Sequence, residues 1–279
     1  NTKNILNLLA DGVNVVRDGT LAKMVKSGEG KHGYMCPYKA IIVSRRDVCA
    51  DKYALAKKLC PDAPIIYDTV DVHFIREERS MALDAEEMKE KGVKVAAKAR
   101  LMLDKKHHKF LTDKSKEIGF MQMSNITYVV STHELTVLQE LLPDVDIRIV
   151  SNIYDISKST QIQQSGRNGA VFVANICHTP NIDAVRFILD EIVDNGLPDG
   201  FAIHVVLSRS SVCAPVALME RLREHANIRL HLDVTNKELE QLHDHALVVL
   251  APLRYGAGVK GKVNYGLLHG IPVIGTSIA

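Results

Sequence analysis

The sequence predicts an α/β protein of two Rossmann-like domains, and three observations support this prediction. Short apolar runs alternate with helix-length amphipathic segments along the chain. Most of these runs are rich in β-branched residues, as is typical of parallel strands that are covered by helices on both faces. A polar stretch containing glycines divides the units into two series. Alternating strands and helices of this kind form parallel sheets with right-handed crossovers.

The apolar runs give the predicted strands in order. In the first half of the chain they lie at residues 13–16, 40–44, 64–67, 126–130 and 147–150. In the second half they lie at residues 170–174, 202–207, 228–232, 247–251 and 272–275.

The segments between the strands have helical spacing. In residues 182–192 the apolar side chains recur so that they share one helix face. Thr132, Asn181 and Thr235 are each followed by an acidic residue, which is typical of a helix start. Residues 77–120 depart from the short alternation, because they are long, helical in pattern and densely charged. We interpret this region as a solvated helical face.

Residues 157–169 read S-K-S-T-Q-I-Q-Q-S-G-R-N-G, with a single apolar side chain and two glycines, which predicts a linker. The predicted domains are therefore residues 1–156 and 170–279, with the working site in the cleft between them, at the carboxyl ends of strands. Because the chain opens on Asn-Thr and stops directly after an apolar run, we expect both domains to be truncated.

The composition excludes several classes of protein. The chain is 46% hydrophobic and 24% charged, and its formal net charge of +2 does not indicate a nucleic-acid partner. No apolar run reaches the roughly 20 residues that cross a bilayer, and the start does not resemble a signal peptide. The five cysteines form no C-x-x-C pair, so we expect reduced, buried thiols and a cytoplasmic location, unless a missing amino terminus carries a targeting signal.

The most informative segment is A-P-L-R-Y-G-A-G-V-K-G-K-V, residues 251–263, between a predicted strand and a helix predicted at residues 259–269. Unpaired N–H groups at a helix amino terminus favour an anion. Lys260 and Lys262 lie in the first turn, where the helix dipole disfavours cations unless an anion compensates. The segment therefore predicts phosphate binding, and the alternative is an ordinary turn that opens a basic helix. It matches neither the P-loop nor G-x-G-x-x-G.

Two further segments place polar side chains after strands. His178 lies in the loop after residues 170–174, where it either contacts a ligand or is part of the helix start at Asn181. Asp71 and His73 follow residues 64–67 and could act as an acid/base or dipole-stabilising pair. The alternatives are an Asx turn with a salt-bridged helix start, or a metal held by Asp68 and Asp71. His243 and His245 are interpreted as structural, because histidine is favourable near a helix end.

These segments, in this order, resemble the retaining GT-B glycosyltransferases related to sucrose and mannosyl transferases, the glycosyl transferases group 1. The run F-V-A-N-I-C-H-T-P-N-I-D-A-V-R-F-I-L-D-E-I resembles the first strand, loop and helix of their donor domain. The run A-P-L-R-Y-G-A-G-V-K-G-K-V resembles the donor-diphosphate loop of the G-A-G-V-K-G-K subgroup, and H-G-I-P-V-I-G-T-S the strand that follows. Y-D-T-V-D-V-H-F-I-R-E-E-R resembles an acceptor-domain segment. The resemblance spans roughly residues 65–279.

The resemblance implies a function. The first domain would bind an acceptor, and the second a nucleotide-diphosphate sugar. The sugar would be transferred in the cleft with retained anomeric configuration and without a bound metal or other cofactor. The acceptor would be a glycan, lipid or protein, and no nucleic acid would be bound. The implied catalytic residues are His73, Asp71, Arg254 and Lys260. The implied donor-binding residues are Gly256, Gly258, Val259, Lys262, Tyr265, His178, Asn181 and Arg209.

The chain departs from the family pattern at the expected ribose contact, because Tyr265 stands where the family usually has a glutamate. Arg209 lies where a glycine-rich turn is common, and is an additional candidate phosphate ligand. The alternative function is therefore a degenerate GT-B protein that binds nucleotide or glycan without transfer. A nucleotide-sugar epimerase is a further possibility, since fold alone does not fix the reaction. A nicotinamide-dependent oxidoreductase would need G-x-G-x-x-G, which the sequence lacks.

Overall fold

The computed structural model of the chain describes residues 36, 38–90, 97–154, 166–208 and 210–279. The predicted strand at residues 13–16, most of the predicted linker at residues 157–169, and Arg209 lie outside the described residues. The described residues form two parallel sheets, each with its own helices.

The first sheet has four strands in the order β1-β2-β3-β4, all parallel. They are β1 (Ile41–Ser44), β2 (Ile65–Asp68), β3 (Ile126–Val129) and β4 (Ile147–Ile149). Its helices are α1 (Arg46–Leu59), α2 (His73–Glu90), α3 (Ala97–Met123) and α4 (Thr132–Leu141). The described part of the densely charged region at residues 77–120 thus falls in α2 and α3, as its helical pattern predicted.

The second sheet has five parallel strands in the order β7-β6-β5-β8-β9. They are β5 (Ala170–Asn175), β6 (Ile203–Ser208), β7 (Ile228–Leu232), β8 (Val248–Ala251) and β9 (Val273–Gly275). Its helices are α5 (Thr179–Phe187), which continues into a π-helical turn (Ile188–Val193), α6 (Ser210–Cys213), α7 (Val216–Glu224), α8 (Asn236–His245) and α9 (Gly261–Leu268). The strand order reverses between β5 and β8, and ligands of such sheets bind at this switch point.

Each sheet has its own hydrophobic core. Tyr67, Phe74 and Leu138 are fully buried in the first, and Phe172 and Leu207 in the second. Within the described ranges, no helix is both long enough and apolar enough to cross a membrane.

Two predicted helix starts are corrected. Helix α5 begins at Thr179 and not at Asn181, because Pro180 occupies its first turn, where the missing N–H costs nothing. Helix α4 begins at Thr132, but its N-cap is Ser131, whose side chain accepts the N–H of Glu134. The prediction at Thr235 is confirmed, because Thr235 and Glu238 form a complete capping box.

The expectation of reduced cysteines is wrong for four of the cysteines. Disulfides join Cys36 to Cys60 and Cys177 to Cys213, whereas Cys49 is a buried free thiol. In both disulfides the Cα atoms are 5.0 Å apart, within the range that disulfide geometry allows. The partners are 24 and 36 residues apart in the sequence, so only the fold brings them together.

Candidate active site

A cavity of about 740 Å³ lies between the two sheets. The first half of the chain contributes the segment that follows β2, and the second half contributes the loop after β5 and the glycine-containing loop before α9. The predicted site residues that line this cavity are Asp71, His73, His178, Asn181, Gly256, Gly258, Val259, Lys260, Lys262 and Tyr265. The fold therefore brings together segments that are far apart in the sequence.

Asp71 and His73 form a pair on the first wall of the cavity. His73 Nε2 lies 3.3 Å from Asp71 Oδ1, and Arg76 forms an ion pair with the other oxygen of Asp71. Burial raises the pKa of Asp71, but the hydrogen bond from His73 and the charge of Arg76 outweigh it and leave the pKa below its ordinary value. The pair is thus a carboxylate that orients an imidazole. His73 is 8% exposed, and its Nδ1 has no partner among the described residues.

Asp68 has a structural role. Its carboxylate accepts the hydroxyl of Ser44 at 2.8 Å and the N–H of Val70 at 3.1 Å, which forms the Asx turn that the sequence left open as an alternative. Among the described residues, no group of three or more His, Cys, Asp or Glu side chains is arranged to hold a metal ion.

A buried glutamate holds the start of α2, the helix that His73 opens. Glu117 is fully buried on α3, and its two oxygens accept the N–H groups of His73 and Phe74, each at 3.0 Å. Burial raises the pKa of Glu117, although these hydrogen bonds and the charge of His73 oppose the shift. Glu117 satisfies N–H groups that a helix start leaves unpaired, and so it fixes the position of His73.

A second buried glutamate connects the two walls. Glu134 is 1% exposed, and its oxygens accept the N–H groups of Val72 at 3.1 Å, Val130 at 3.2 Å and Gly258 at 2.9 Å. The first two donors belong to the first half of the chain, and the third to the loop before α9. The N–H of Gly258 is therefore bound by a protein carboxylate, which differs from the role that the sequence suggested for it.

A glycine is required at position 258 because the two walls of the cavity approach each other closely there. Its φ is +68°, and an added Cβ would lie 3.0 Å from Asp71 Cβ. The neighbouring carbonyl of Gly256 accepts a hydrogen bond from Arg79 Nη1 of α2 at 2.6 Å. These contacts hold the loop against the first half of the chain.

Lys262 has the ammonium group best suited to an anionic ligand. It lies in the first turn of α9, and its Nζ donates to Asn181 Oδ1 at 2.9 Å and lies 4.5 Å from the centre of the Phe172 ring. Among the described residues it forms no ion pair with a carboxylate. Burial lowers the pKa of Lys262 to about 8, and the charge of Lys260 adds to the shift.

Lys260 and His178 flank Lys262 in the cavity lining. Lys260 Nζ donates to the carbonyls of Ala257 at 3.1 Å and Gly258 at 2.9 Å. Its pKa is lowered by burial and by the charge of Arg79. The pKa of His178 is lowered by loss of surrounding solvent and by the charge of Arg76. Several perturbed pKa values in one cavity are typical of a functional site.

Arg254 does not line the cavity, unlike the other described residues of the predicted set. Its Nε donates to Asp183 at 3.0 Å, a second nitrogen bonds the same carboxylate, and Nη1 lies 2.8 Å from Glu87 Oε1. The bond with Asp183 raises the pKa of Arg254 further above its already high ordinary value. The structure therefore gives Arg254 a role in joining α2 to the second half of the chain.

Tyr265 belongs to a cluster of three rings that the sequence did not predict. Its ring centre lies 4.5 Å from that of His243 and 4.3 Å from that of His269. His243 lines the cavity as well, and its Nδ1 lies 2.8 Å from the carbonyl of Leu239. The carbonyl can only accept, so Nδ1 carries the proton. The interpretation of His243 as a plain helix-end residue therefore missed its place in the cavity wall.

Glu117, Glu134 and Arg79 also escaped the sequence analysis. Each occupies an ordinary position in an amphipathic helix, and their partners lie 44, 124 and 177 residues away. Of these three residues, Glu134 alone had a sequence signal, because it follows Ser131 at the spacing that is typical of a helix cap.

No family model and no curated protein matches this chain. Solved structures do match. The sucrose-phosphate synthase of Thermosynechococcus elongatus has a TM-score of 0.59 at 12% identity, over 96% of this chain and 63% of that one. HepE from Anabaena in complex with UDP-glucose has a TM-score of 0.61 at 10% identity, over 93% of this chain and 63% of that one. A trehalose-6-phosphate synthase has a TM-score of 0.53 at 10% identity, over 96% and 66%.

This chain thus spans about two thirds of the length of these proteins. At such low identity the comparisons show the fold and not the activity. Two parallel α/β sheets that face each other across a cavity, together with these neighbours, establish that the chain has the GT-B glycosyltransferase fold.

Proposed function

We propose that the protein is a retaining glycosyltransferase that moves a sugar from a nucleotide-diphosphate sugar to an acceptor hydroxyl. The observation that carries the proposal is Lys262, a half-buried ammonium with a lowered pKa that has no carboxylate partner among the described residues. It lies at the start of α9, next to the strand-order reversal. A diphosphate would supply the missing negative charge. The UDP-glucose complex of the structural neighbour HepE supports the choice of donor.

The donor diphosphate would lie against Lys262 and Lys260. When the bond between the anomeric carbon and the phosphate oxygen breaks, the electron pair goes to the diphosphate. Cations aimed at this developing charge stabilise the transition state more than the ground state. In the proposed reaction these side chains take the place of a metal ion, and no other cofactor takes part.

The acceptor hydroxyl would attack from the same face that the diphosphate leaves, which retains the anomeric configuration. The new bond joins the acceptor oxygen to the anomeric carbon, and the hydroxyl proton passes to the departing phosphate oxygen. His73, held by Asp71 and Glu117, lies on the opposite wall. There it would bind a hydroxyl of the transferred sugar and stabilise positive charge at the ring, since Asp71 makes its imidazole electron-rich.

A thermal-shift screen of nucleoside diphosphates, followed by calorimetry, tests the donor site. We expect UDP or GDP to bind, and Lys262→Gln to weaken that binding. Lys106→Gln is the control, because Lys106 is exposed, pairs with Asp84, and does not line the cavity. Equal binding by wild type and Lys262→Gln would exclude Lys262 as the diphosphate contact.

The second candidate function is a protein that binds nucleotide without transferring sugar, and Tyr265 favours it. Tyr265 is not an anionic acceptor at neutral pH, since burial raises its pKa further. Transfer or hydrolysis of UDP-glucose and its GDP counterpart by wild type and Tyr265→Glu distinguishes the two functions. A wild type that binds the diphosphate but leaves every tested sugar nucleotide intact would support the binding protein.

A further inference from the structure

Two arginines, Arg45 and Arg76, line the first wall of the cavity. Arg76 pairs with Asp71, and the carboxylate of Asp47 lies 3.6 Å from Nε of Arg46. Arg45 lines the same wall, at the carboxyl end of β1. Within the part of the chain that the structure describes, the Arg45 side chain has no hydrogen bond and no ion pair at contact distance, and its charge is a minor contribution to the lowered pKa of Asp71.

The adjacent arginine, Arg46, has a structural role. Arg46 forms a hydrogen-bonded ion pair with Glu77, at 3.1 Å, and lies 3.9 Å from Asp113. Its side chain is 12% exposed. Arg45 is exposed to the cavity and has none of these partners. Of two neighbouring arginines, one therefore connects helices and the other presents its guanidinium to whatever enters the cavity.

The backbone of Arg45 is also unusual. Its φ of +74° and ψ of 145° fall in a region that is occupied almost entirely by glycine. Two backbone hydrogen bonds hold it there. The N–H of Arg45 donates to the backbone carbonyl of Asp68 at 2.8 Å, and the carbonyl of Arg45 accepts the N–H of Cys49 at 2.9 Å. Glycine would be relaxed in this conformation. A side chain that is present despite the strain is consistent with a function for the guanidinium.

We propose that Arg45 binds an anionic group on the acceptor, so that the acceptor is a sugar bearing a phosphate or a carboxylate. This inference rests on the proposed transferase function. A guanidinium presents two parallel N–H donors that match the oxygens of either group. The cavity then has two anion sites, one at Lys262 for the donor diphosphate and one at Arg45, beside Asp71 and His73, for the acceptor.

Calorimetry with glucose 6-phosphate, glucuronate and glucose tests the proposal, with and without saturating UDP. We expect one of the two acids to bind more tightly than glucose in both conditions, and the tighter acid identifies phosphate or carboxylate. Arg45→Gln should weaken that binding about 10- to 100-fold, the loss of a charge-assisted hydrogen-bonded contact. Arg148→Gln is the control, because Arg148 is exposed, pairs with Asp146 and does not line the cavity.

Arg45→Gly separates binding from folding. It removes the guanidinium and relaxes the backbone, so the variant should melt no lower than wild type while it loses the acid. The proposal is overturned if either Arg45 variant binds the acid as wild type does, or if neither acid binds better than glucose. It is equally overturned if UDP displaces the acid, because both would then occupy the Lys262 site.

The outcome for UDP is independent of the outcome for Arg45. Binding of an acid that depends on Arg45, in a protein that does not bind any nucleoside diphosphate, would contradict the proposed donor and leave the Arg45 site in place. Binding of UDP that depends on Lys262, with no effect of Arg45 on either acid, would contradict only the acceptor site.

Discussion

Glu134 Oε1 accepts the backbone N–H of Gly258 at 2.9 Å, and this bond joins the two halves of the chain. The same oxygen accepts the N–H of Val72, one residue before His73. A single buried carboxylate therefore sets the distance between the segment that carries His73 and the loop that carries Lys260 and Lys262.

Glu134→Gln should destabilise the protein. The amide offers one oxygen to three N–H donors and turns its own NH₂ toward them, so buried donors lose their acceptor. The expected loss is about 1–3 kcal/mol in the free energy of unfolding, measured by urea denaturation. Glu140→Gln on the exposed face of the same helix should change it by less than about 0.5 kcal/mol. Equal effects of the two substitutions would contradict this role.

The raised pKa of Glu117 predicts a pH dependence of stability. Burial favours its protonated form, so the folded state binds the proton more tightly than the unfolded state does. Its contribution is complete below the ordinary pKa of 4.5 and is lost as the pH rises through the folded-state pKa. Glu117→Gln should remove this loss of stability at higher pH. Unfolding curves of both proteins across that range check the prediction, and parallel curves would exclude it.

The lowered pKa of Lys262 predicts that diphosphate affinity falls as the pH rises above about 8. The free ammonium loses its proton there, whereas a bound diphosphate would hold it. UDP binding above pH 8 should therefore take up a proton, which calorimetry in buffers of different ionisation enthalpy measures. Lys262→Arg should abolish the dependence, because a guanidinium stays charged. An unchanged profile in that variant would assign the titration to another group.

Arg254→Ala should affect stability more than donor binding. Its removal leaves Asp183, which is 12% exposed, without its partner. We expect a loss of about 1–3 kcal/mol, less than for a fully buried pair because Arg254 is 27% exposed. Diphosphate affinity should stay within about twofold of wild type, the size of a surface effect. Arg221→Ala, which breaks an exposed pair with Asp190, is the matched control for stability. A large loss of UDP affinity in Arg254→Ala would show that Arg254 contributes to the donor site.

Much of the fold could be predicted from the sequence. Apolar runs such as residues 170–174 identify their own strands, because burial on both sheet faces disfavours polar side chains. Glycine and lysine at the start of α9 predict an anion site, because helix termini have the same electrostatics wherever they occur. These features depend on neighbours along the chain, and for this reason the strand positions follow from the sequence alone, whereas phosphate binding by the loop before α9 stays a prediction.

The partner of each buried charge was decided only by the tertiary structure. The resemblance implies a catalytic role for Arg254, and only the fold shows that Asp183 and Glu87 lie beside it. The sequence contains no signal that distinguishes Arg45 from Arg46, whereas the backbone angles of Arg45 and its place in the cavity wall do. Whether a charge is paired depends on which segments the crossovers bring into contact, and those contacts span distances over which sequence periodicity has no information.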